Sequence, residues 1–181
     1  MAQLRADARR NRERILAAAE EVFAERGASA STEEVAARAG VAIGTVFRHF
    51  PTKDDLLTAI VKALLARLEE EAAGLAERGE PETALFAFFT HVVEAAAARR
   101  TVADLLTGGA GLPVEGALRR LAEPVGTLLR RAQQAGAVRA DVRQEEVMAL
   151  LAAASQAALQ AGWTPDLRER TLGIIFRGCR P

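Results

Sequence analysis

Residues 31–53 read STEEVAARAGVAIGTVFRHFPTK, and the order of helix starts and stops in this stretch decides the fold. Ser31 and Glu34 make the S-x-x-E pattern in which a serine oxygen and a glutamate carboxylate satisfy free N–H groups at a helix start. A helix therefore begins near Thr32. Gly40, in Ala39-Gly40-Val41, can take the left-handed conformation that closes a helix and turns the chain within a few residues. A second helix follows until Pro51 stops it. Two helices joined by a short glycine turn are the sequence form of a helix-turn-helix, whose second helix enters the DNA major groove. Helical hairpins with a glycine turn are also common as plain structure in all-α proteins, so charge placement has to separate the two readings. From Val41 to Lys53 there is no acid, and Arg48 and Lys53 are cationic. Thr52 heads a T-K-D-D run that reads as the cap of a further helix. Lys53 opposes the macrodipole there, a conflict that a bound phosphate would remove.

The wider composition agrees with a helical, water-exposed chain. Its 181 residues are enough for one compact unit or for a small domain fused to a larger one. Half are hydrophobic, Tyr is absent and Phe and Trp are few, which favours helix over sheet. A single cysteine, Cys179, forms no internal disulfide, and a cytoplasmic location is the simplest expectation. The arginines at the start have no apolar run behind them, so they do not read as a secretory signal. No stretch approaches the roughly 18 uninterrupted apolar residues of a membrane span. Net charge is zero, and residues 1–53 hold nine Arg and Lys against seven Asp and Glu. Affinity for nucleic acid must then come from local placement: Arg5, Arg9, Arg10, Arg12 and Arg14 at one end, Arg48 and Lys53 at the other.

Ahead of the motif, Ile15, Leu16, Ala19, Val22 and Phe23 recur at helical spacing, giving a first helix from Arg9 to Arg26 that Gly27 ends. The residues before it read as a flexible basic arm, either a solvated terminus or a contact to phosphates or the minor groove. Val35, Ala36 and Ala39 form the inward face of the first motif helix. Val46 and Phe50 point inward from the second, with Ile43 and Phe47 at the edges of the same stripe. Ala42, Gly44, Thr45, Arg48 and His49 are left outward. Gly44 permits close backbone approach, and His49 can donate to a phosphate.

Several spaced motifs in the first third of the chain resemble the DNA-binding domain of the TetR (tetracycline-repressor-like) family. They are F-A-E-R-G at Phe23 to Gly27, E-V-A-x-x-A-G-V at Glu34 to Val41, G-T-V-F-R-H-F at Gly44 to Phe50 and P-T-K-D-D-L at Pro51 to Leu56. The resemblance implies that Ile43, Gly44, Thr45, Phe47 and Arg48 approach bases or nearby backbone, while Ser31, Thr32, His49 and Lys53 position phosphates. Two residues depart from the family pattern. Phe47 stands where tyrosine is usual, which removes a hydroxyl contact, and Ala42 stands where a serine commonly caps the recognition helix. Periodicity and resemblance disagree over Ile43 and Phe47, and the exposed reading is preferred, because the edges of an apolar stripe can meet thymine methyls.

From Asp54 the periodic residues Leu56, Leu57, Ile60, Val61, Leu64, Leu65 and Leu68 predict one long helix, which joins the motif to everything downstream. Gly79-Glu80-Pro81 breaks it. The run Leu85, Phe86, Phe88, Phe89, Val92 and Val93 is either core or the wall of an apolar effector pocket, for which the candidates are Leu64, Phe86, Phe89, His91, Val93, Leu105, Val125 and Leu129. His91 with Glu94 lacks the further ligands of a metal site, and no cofactor is expected. Gly108 to Pro113 reads as a connector, and Pro124 predicts a kink in the following helix. The last two helices, from about Arg143 to Ala161 and from Pro165 to Gly178, could simply close the core. By the resemblance they pair with their copies in a homodimer, through Leu151, Ala154, Ala158, Leu172, Ile175 and Phe176.

The expected architecture is all-α with about nine helices: a helix-turn-helix domain with a basic arm over 1–53, and a helical effector-binding and dimerisation domain over 54–181. The expected function is that of a DNA-binding transcriptional regulator, a repressor released from a near-palindromic operator by an apolar small molecule. Control by a protein partner is the alternative. An enzyme is disfavoured, since two histidines, one cysteine, two lysines and no tyrosine assemble no nucleophile, base and orienting group by spacing.

Overall fold

A computed structural model describes residues 2–98 and 114–181. Among them lie eight α-helices and no strand, so the all-α expectation holds and its count of about nine is close. The helices are α1 (Ala2–Arg26), α2 (Thr32–Ala39), α3 (Ile43–His49), α4 (Lys53–Arg78), α5 (Ala84–Ala98), α6 (Val114–Gln134), α7 (Gln144–Ala161) and α8 (Pro165–Cys179). Contacts divide the chain into two compact units, one running to Leu64 and the other starting at Leu65. Leu105 and the expected connector Gly108 to Pro113 lie outside the described residues.

The first unit is built on α1. Ile15, Leu16, Ala19, Val22 and Phe23 are buried along one stripe, and α2, α3 and the start of α4 supply Val35, Ala36, Val46, Phe50, Leu56, Leu57 and Ile60 to the same core. One expectation is corrected at the N-terminus. The segment ahead of Arg9 is helical and belongs to α1, because its Ala, Gln, Leu and Arg are strong helix formers with no Gly or Pro to interrupt them. Gly27, at φ 60°, ends α1, and a short 3-10 turn over Gly27–Ser29 follows.

Capping sets the register of the motif. The Glu34 amide donates to Ser31 Oγ at 3.1 Å, and the Ser31 amide donates to the Glu34 carboxylate at 3.0 Å. At the other end of α2, Gly40 takes φ 64°, and the Gly40 and Val41 amides return to the carbonyls of Ala36 and Ala37. The T-K-D-D run caps α4 as expected: the Asp55 amide donates to Thr52 Oγ1 at 3.0 Å, and the Thr52 amide donates to the Asp55 carboxylate at 3.1 Å.

In the second unit α5 packs most closely on α7, and α6 packs on both. Phe88, Val93, Leu121, Leu128 and Leu151 are fully buried. Pro124 lies inside α6, which runs on to Gln134. The end of α4 is held by a side chain from α6. Arg131 donates to the carbonyls of Leu75 at 3.0 Å, Ala76 at 2.6 Å and Gly79 at 2.8 Å, satisfying acceptors that a helix C-terminus leaves free. Thr164 Oγ1 accepts from the Leu167 amide at 3.2 Å, and Pro165 follows it, giving α8 a capped start.

Candidate nucleic-acid interface

Helix α3 is seven residues long and is fixed by its inner side chains. Val46 is fully buried and Phe50 nearly so, against the stripe of α1. With these two turned inward, the 3.6-residue period puts Ile43, Gly44, Phe47 and Arg48 on the outer side. Ile43 is 38% exposed and Phe47 43% exposed, large apolar side chains left in water. Gly44 and Arg48 are exposed beside them, while Thr45 and His49 are half-buried at the flanks. A Cβ at Gly44 would meet nothing within 4 Å, so its bareness has no packing reason inside the chain. Ala42 gives α3 no side-chain cap, and the Thr45 amide bonds only the Ala42 carbonyl, at 2.8 Å.

The cations divide into two groups. Lys53 turns back into its own domain: its ammonium donates to the Ala30 carbonyl at 2.9 Å and lies 5.3 Å from the centre of the Phe23 ring. The carbonyl and the ring face offset the opposition of this cation to the α4 dipole, so a phosphate is not needed to explain it. Arg14, counted in the sequence among the N-terminal cations, donates to the carbonyls of Ala39 at 2.6 Å and Gly40 at 3.4 Å. The Arg12 guanidinium sits 5.2 Å from the centre of the Phe50 ring. Arg10 pairs with Asp7, and Arg9 with Glu13 at 3.7 Å. Arg48 has no such partner among the described residues and stands on the exposed face of α3.

At the start of α2, Ser31 and Thr32 are half-buried. Ser31 Oγ accepts from the Glu34 amide and keeps its own O–H as a donor. Glu33 and Glu34 share this first turn, which disfavours an anion there by like charge. On the opposite end of α2, Arg38 bonds Glu25 at 2.8 Å and Glu21 at 3.1 Å on α1. The hydrogen bond from Arg38 and its charge hold the Glu25 carboxyl below the usual carboxylate range, and the Arg38 guanidinium is raised in turn.

The effector candidates separate. Phe86 and Phe89 meet Phe176 of α8, with ring centres 4.9 and 5.5 Å apart. Beside them an apolar cavity of about 10 Å³, also lined by Val138, Val147 and Ile175, has room for a single water. Val93, Val125 and Leu129 are buried in the core, and Leu64 is half-buried in the first unit. His91 is not turned into an apolar pocket. It is exposed on α5, with Nδ1 2.7 Å from the carboxylate of the half-buried Glu71 on α4. A wider groove of about 420 Å³ runs between α5 and α8, with Leu172 and Phe176 as its apolar wall and the Arg168–Glu94 ion pair, 3.1 Å long, at its rim. Among the described residues no group of His, Cys, Asp or Glu is arranged for a metal ion.

Of the dimer candidates, Leu151, Ala154, Ala158 and Leu172 are buried within their own chain, and Ile175 and Phe176 are half-buried. The apolar side chains that project outward from α7 and α8 are different ones: Leu150, Leu167 at 48% and Ile174 at 64% exposure. Their signal in the sequence was the seven-residue spacing of Leu167 and Ile174, two helical turns on one face. No helix among the described residues is long and apolar enough to cross a membrane.

Comparison with known proteins adds the family. Residues 15–60 match the model for bacterial regulatory proteins of the tetR family, and residues 80–181 match the C-terminal domain of SbtR-like transcriptional regulators. A TetR transcription regulatory protein from Mycobacterium vanbaalenii is 39% identical, with a TM-score of 0.79 over 98% of this chain and 99% of that one. A structure described as the molecular basis for control of antibiotic production by bacterial hormones is 26% identical, with a TM-score of 0.68 over 94% and 97%. An HTH-type transcriptional repressor of Mycobacterium tuberculosis is 51% identical over 55 residues. That alignment spans 30% of this chain and less than a third, 29%, of the relative.

Proposed function

The chain belongs to the TetR family of bacterial regulators, and from that premise we propose that it is a sequence-specific DNA-binding repressor that acts as a homodimer in the cytoplasm and is released by a small apolar effector. The observation that carries the reading is the outer face of α3, where Ile43, Gly44, Phe47 and Arg48 stand in water while Val46 and Phe50 anchor the helix from behind. A water-exposed isoleucine and phenylalanine beside a bare glycine on a short helix suit a groove floor that carries thymine methyls. Arg48, His49 and Thr45 supply the polar contacts to phosphate that fix register, with Ser31 and Thr32 at the edge of the same surface. Two copies related by a two-fold axis read half-sites about 34–36 Å apart in a near-palindrome.

The projecting side chains Leu150, Leu167 and Ile174 form the centre of the dimer contact, and the buried Leu151, Ala154, Ala158 and Leu172 shape the helices that present them. The aromatic cluster of Phe86, Phe89 and Phe176, with the adjoining groove, suits an uncharged apolar effector. The hormone control named for one structural relative supports an effector of some kind. A coupling of about 1–3 kcal/mol between effector and operator changes occupancy roughly five- to 150-fold. The test is selection of duplexes by the purified protein from a random library, followed by fluorescence anisotropy. A recovered near-palindrome that binds far more tightly than scrambled DNA supports the reading, and recovery of no common sequence overturns it.

A further inference from the structure

Arg14 carries more than a share of the basic charge. It leaves α1 next to the buried Ile15, and its Nη2 donates to the Ala39 carbonyl at 2.6 Å and to the Gly40 carbonyl at 3.4 Å. Those acceptors are the last residue of α2 and the glycine that turns the chain. The carbonyls of Ala36 and Ala37 already receive the Gly40 and Val41 amides, so Arg14 completes the C-terminal cap with a cation, the sign that the negative end of a helix favours. The contact is also tight. A Cβ placed on Gly40 would lie 2.9 Å from Arg14 Nη2, and the φ of 64° excludes most other residues from that position.

The turn so clamped launches α3 three residues after Gly40, and Ala42 gives that helix no side-chain cap of its own. The direction in which α3 leaves the turn is therefore set by backbone bonds, by Val46 and Phe50 beneath, and by the guanidinium over Gly40. We infer that Arg14 is a positioning residue for DNA readout: by clamping the Ala39-Gly40 turn it fixes the angle at which Ile43, Phe47 and Arg48 are presented, and it does not itself meet a phosphate. The inference rests on the DNA-reading role of α3 proposed above.

The experiment measures the affinity of wild type, Arg14→Met and Arg14→Lys for the selected duplex and for a scrambled duplex of the same length, across a salt series, at a temperature where circular dichroism shows each variant folded. For Arg14→Met the expected result is roughly tenfold weaker binding to the selected duplex, with scrambled-duplex affinity and the log–log salt slope unchanged. Arg14→Lys keeps the charge, but both carbonyls are met by the single Nη2 at the far end of the guanidinium, and the shorter lysine stem ends short of that position, so it should restore little of the lost preference. Gly40→Ala, which disturbs the same contact from its other side, should lose preference in the same way. A salt slope lower by about 0.9, with Arg14→Lys restoring affinity, overturns the inference in favour of a phosphate contact. Unchanged affinity for both duplexes also overturns it and leaves Arg14 a purely structural cap. If wild type itself prefers no duplex, the DNA-reading role fails and the inference falls with it.

Discussion

The Lys53 ammonium, at the first residue of α4, donates to the carbonyl of Ala30 at 2.9 Å and covers the face of Phe23. Ala30 ends the 3-10 turn that separates α1 from α2, so one side chain ties the start of α4 to the connection ahead of the recognition motif. A charge-assisted hydrogen bond and a cation over an aromatic face are lost together in Lys53→Ala, which should destabilise the protein by about 1–2 kcal/mol. Urea unfolding checks this, and a midpoint unchanged from wild type would show that the contact contributes nothing measurable.

Arg48 should behave in the opposite way. It is exposed on α3, and surface substitutions of that kind stay within about 0.5 kcal/mol. Arg48→Ala should leave the unfolding midpoint in place but lower the log–log salt slope for DNA binding by about 0.9, the share of one phosphate. The pairing of the two variants is informative, since the sequence places both cations at the DNA-facing surface, and among the described residues Lys53 has intramolecular partners while Arg48 has none. A slope unaltered in Arg48→Ala would remove it from the interface.

Local pairings were legible in the chain and distant ones were not. The Ser31–Glu34 box, the Gly40 turn and the Thr52–Asp55 cap each join residues within a few positions, so their chemistry is written in consecutive letters. The inward turn of Val46 and Phe50 follows from a 3.6-residue period. Arg14 and Ala39 are 25 residues apart, and Arg131 and Gly79 are 52 apart. Nothing in an arginine's neighbours says which carbonyl it will find, and so Arg14 reads as one more cation of the N-terminal group. The dimer candidates show a related limit. An apolar stripe says that a face is buried but not by which chain, and Leu151, Ala154 and Ala158 are buried by their own.

The ion pair between α1 and α2 predicts a pH dependence. Arg38 lowers the Glu25 carboxyl from its usual range in the folded protein. A depressed folded-state carboxyl contributes stability that is present above its unfolded-state value and is lost as pH falls through the folded one. Wild type should therefore exceed Arg38→Ala in stability at pH 6, with the difference shrinking as pH drops below about 4. Carbon-detected titration of the Glu25 carboxyl checks the cause directly, because in Arg38→Ala it should return towards the ordinary carboxylate value.

Ile174 and Leu167 project from α8 as an unpartnered apolar pair. If they meet their copies across a two-fold axis, Ile174→Glu places two carboxylates in one contact, a cost without compensation. Light scattering should give twice the chain mass of 19.3 kDa for wild type and a value close to the single chain for the variant. The variant should also bind a near-palindromic duplex more weakly while its helical content holds. A dimeric Ile174→Glu would move the interface elsewhere.

Phe47 offers the sharpest test of how α3 meets DNA. Its ring is 43% exposed on the outer face, one turn from Ile43 and beside Arg48. A core phenylalanine replaced by alanine costs about 3–5 kcal/mol, whereas a side chain this exposed should lose far less. Phe47→Ala is therefore expected to fold normally, with an unfolding midpoint close to wild type, and to bind the selected duplex more weakly through the loss of apolar contact. Phe47→Tyr adds a hydroxyl at the rim of the exposed ring, where phosphate oxygens can accept it, so affinity should hold or rise. The two variants together separate the roles of ring and rim. Loss of binding in Phe47→Tyr with stability retained would mean the ring enters a groove too tight for one more oxygen, and loss of stability in both would return Phe47 to the core.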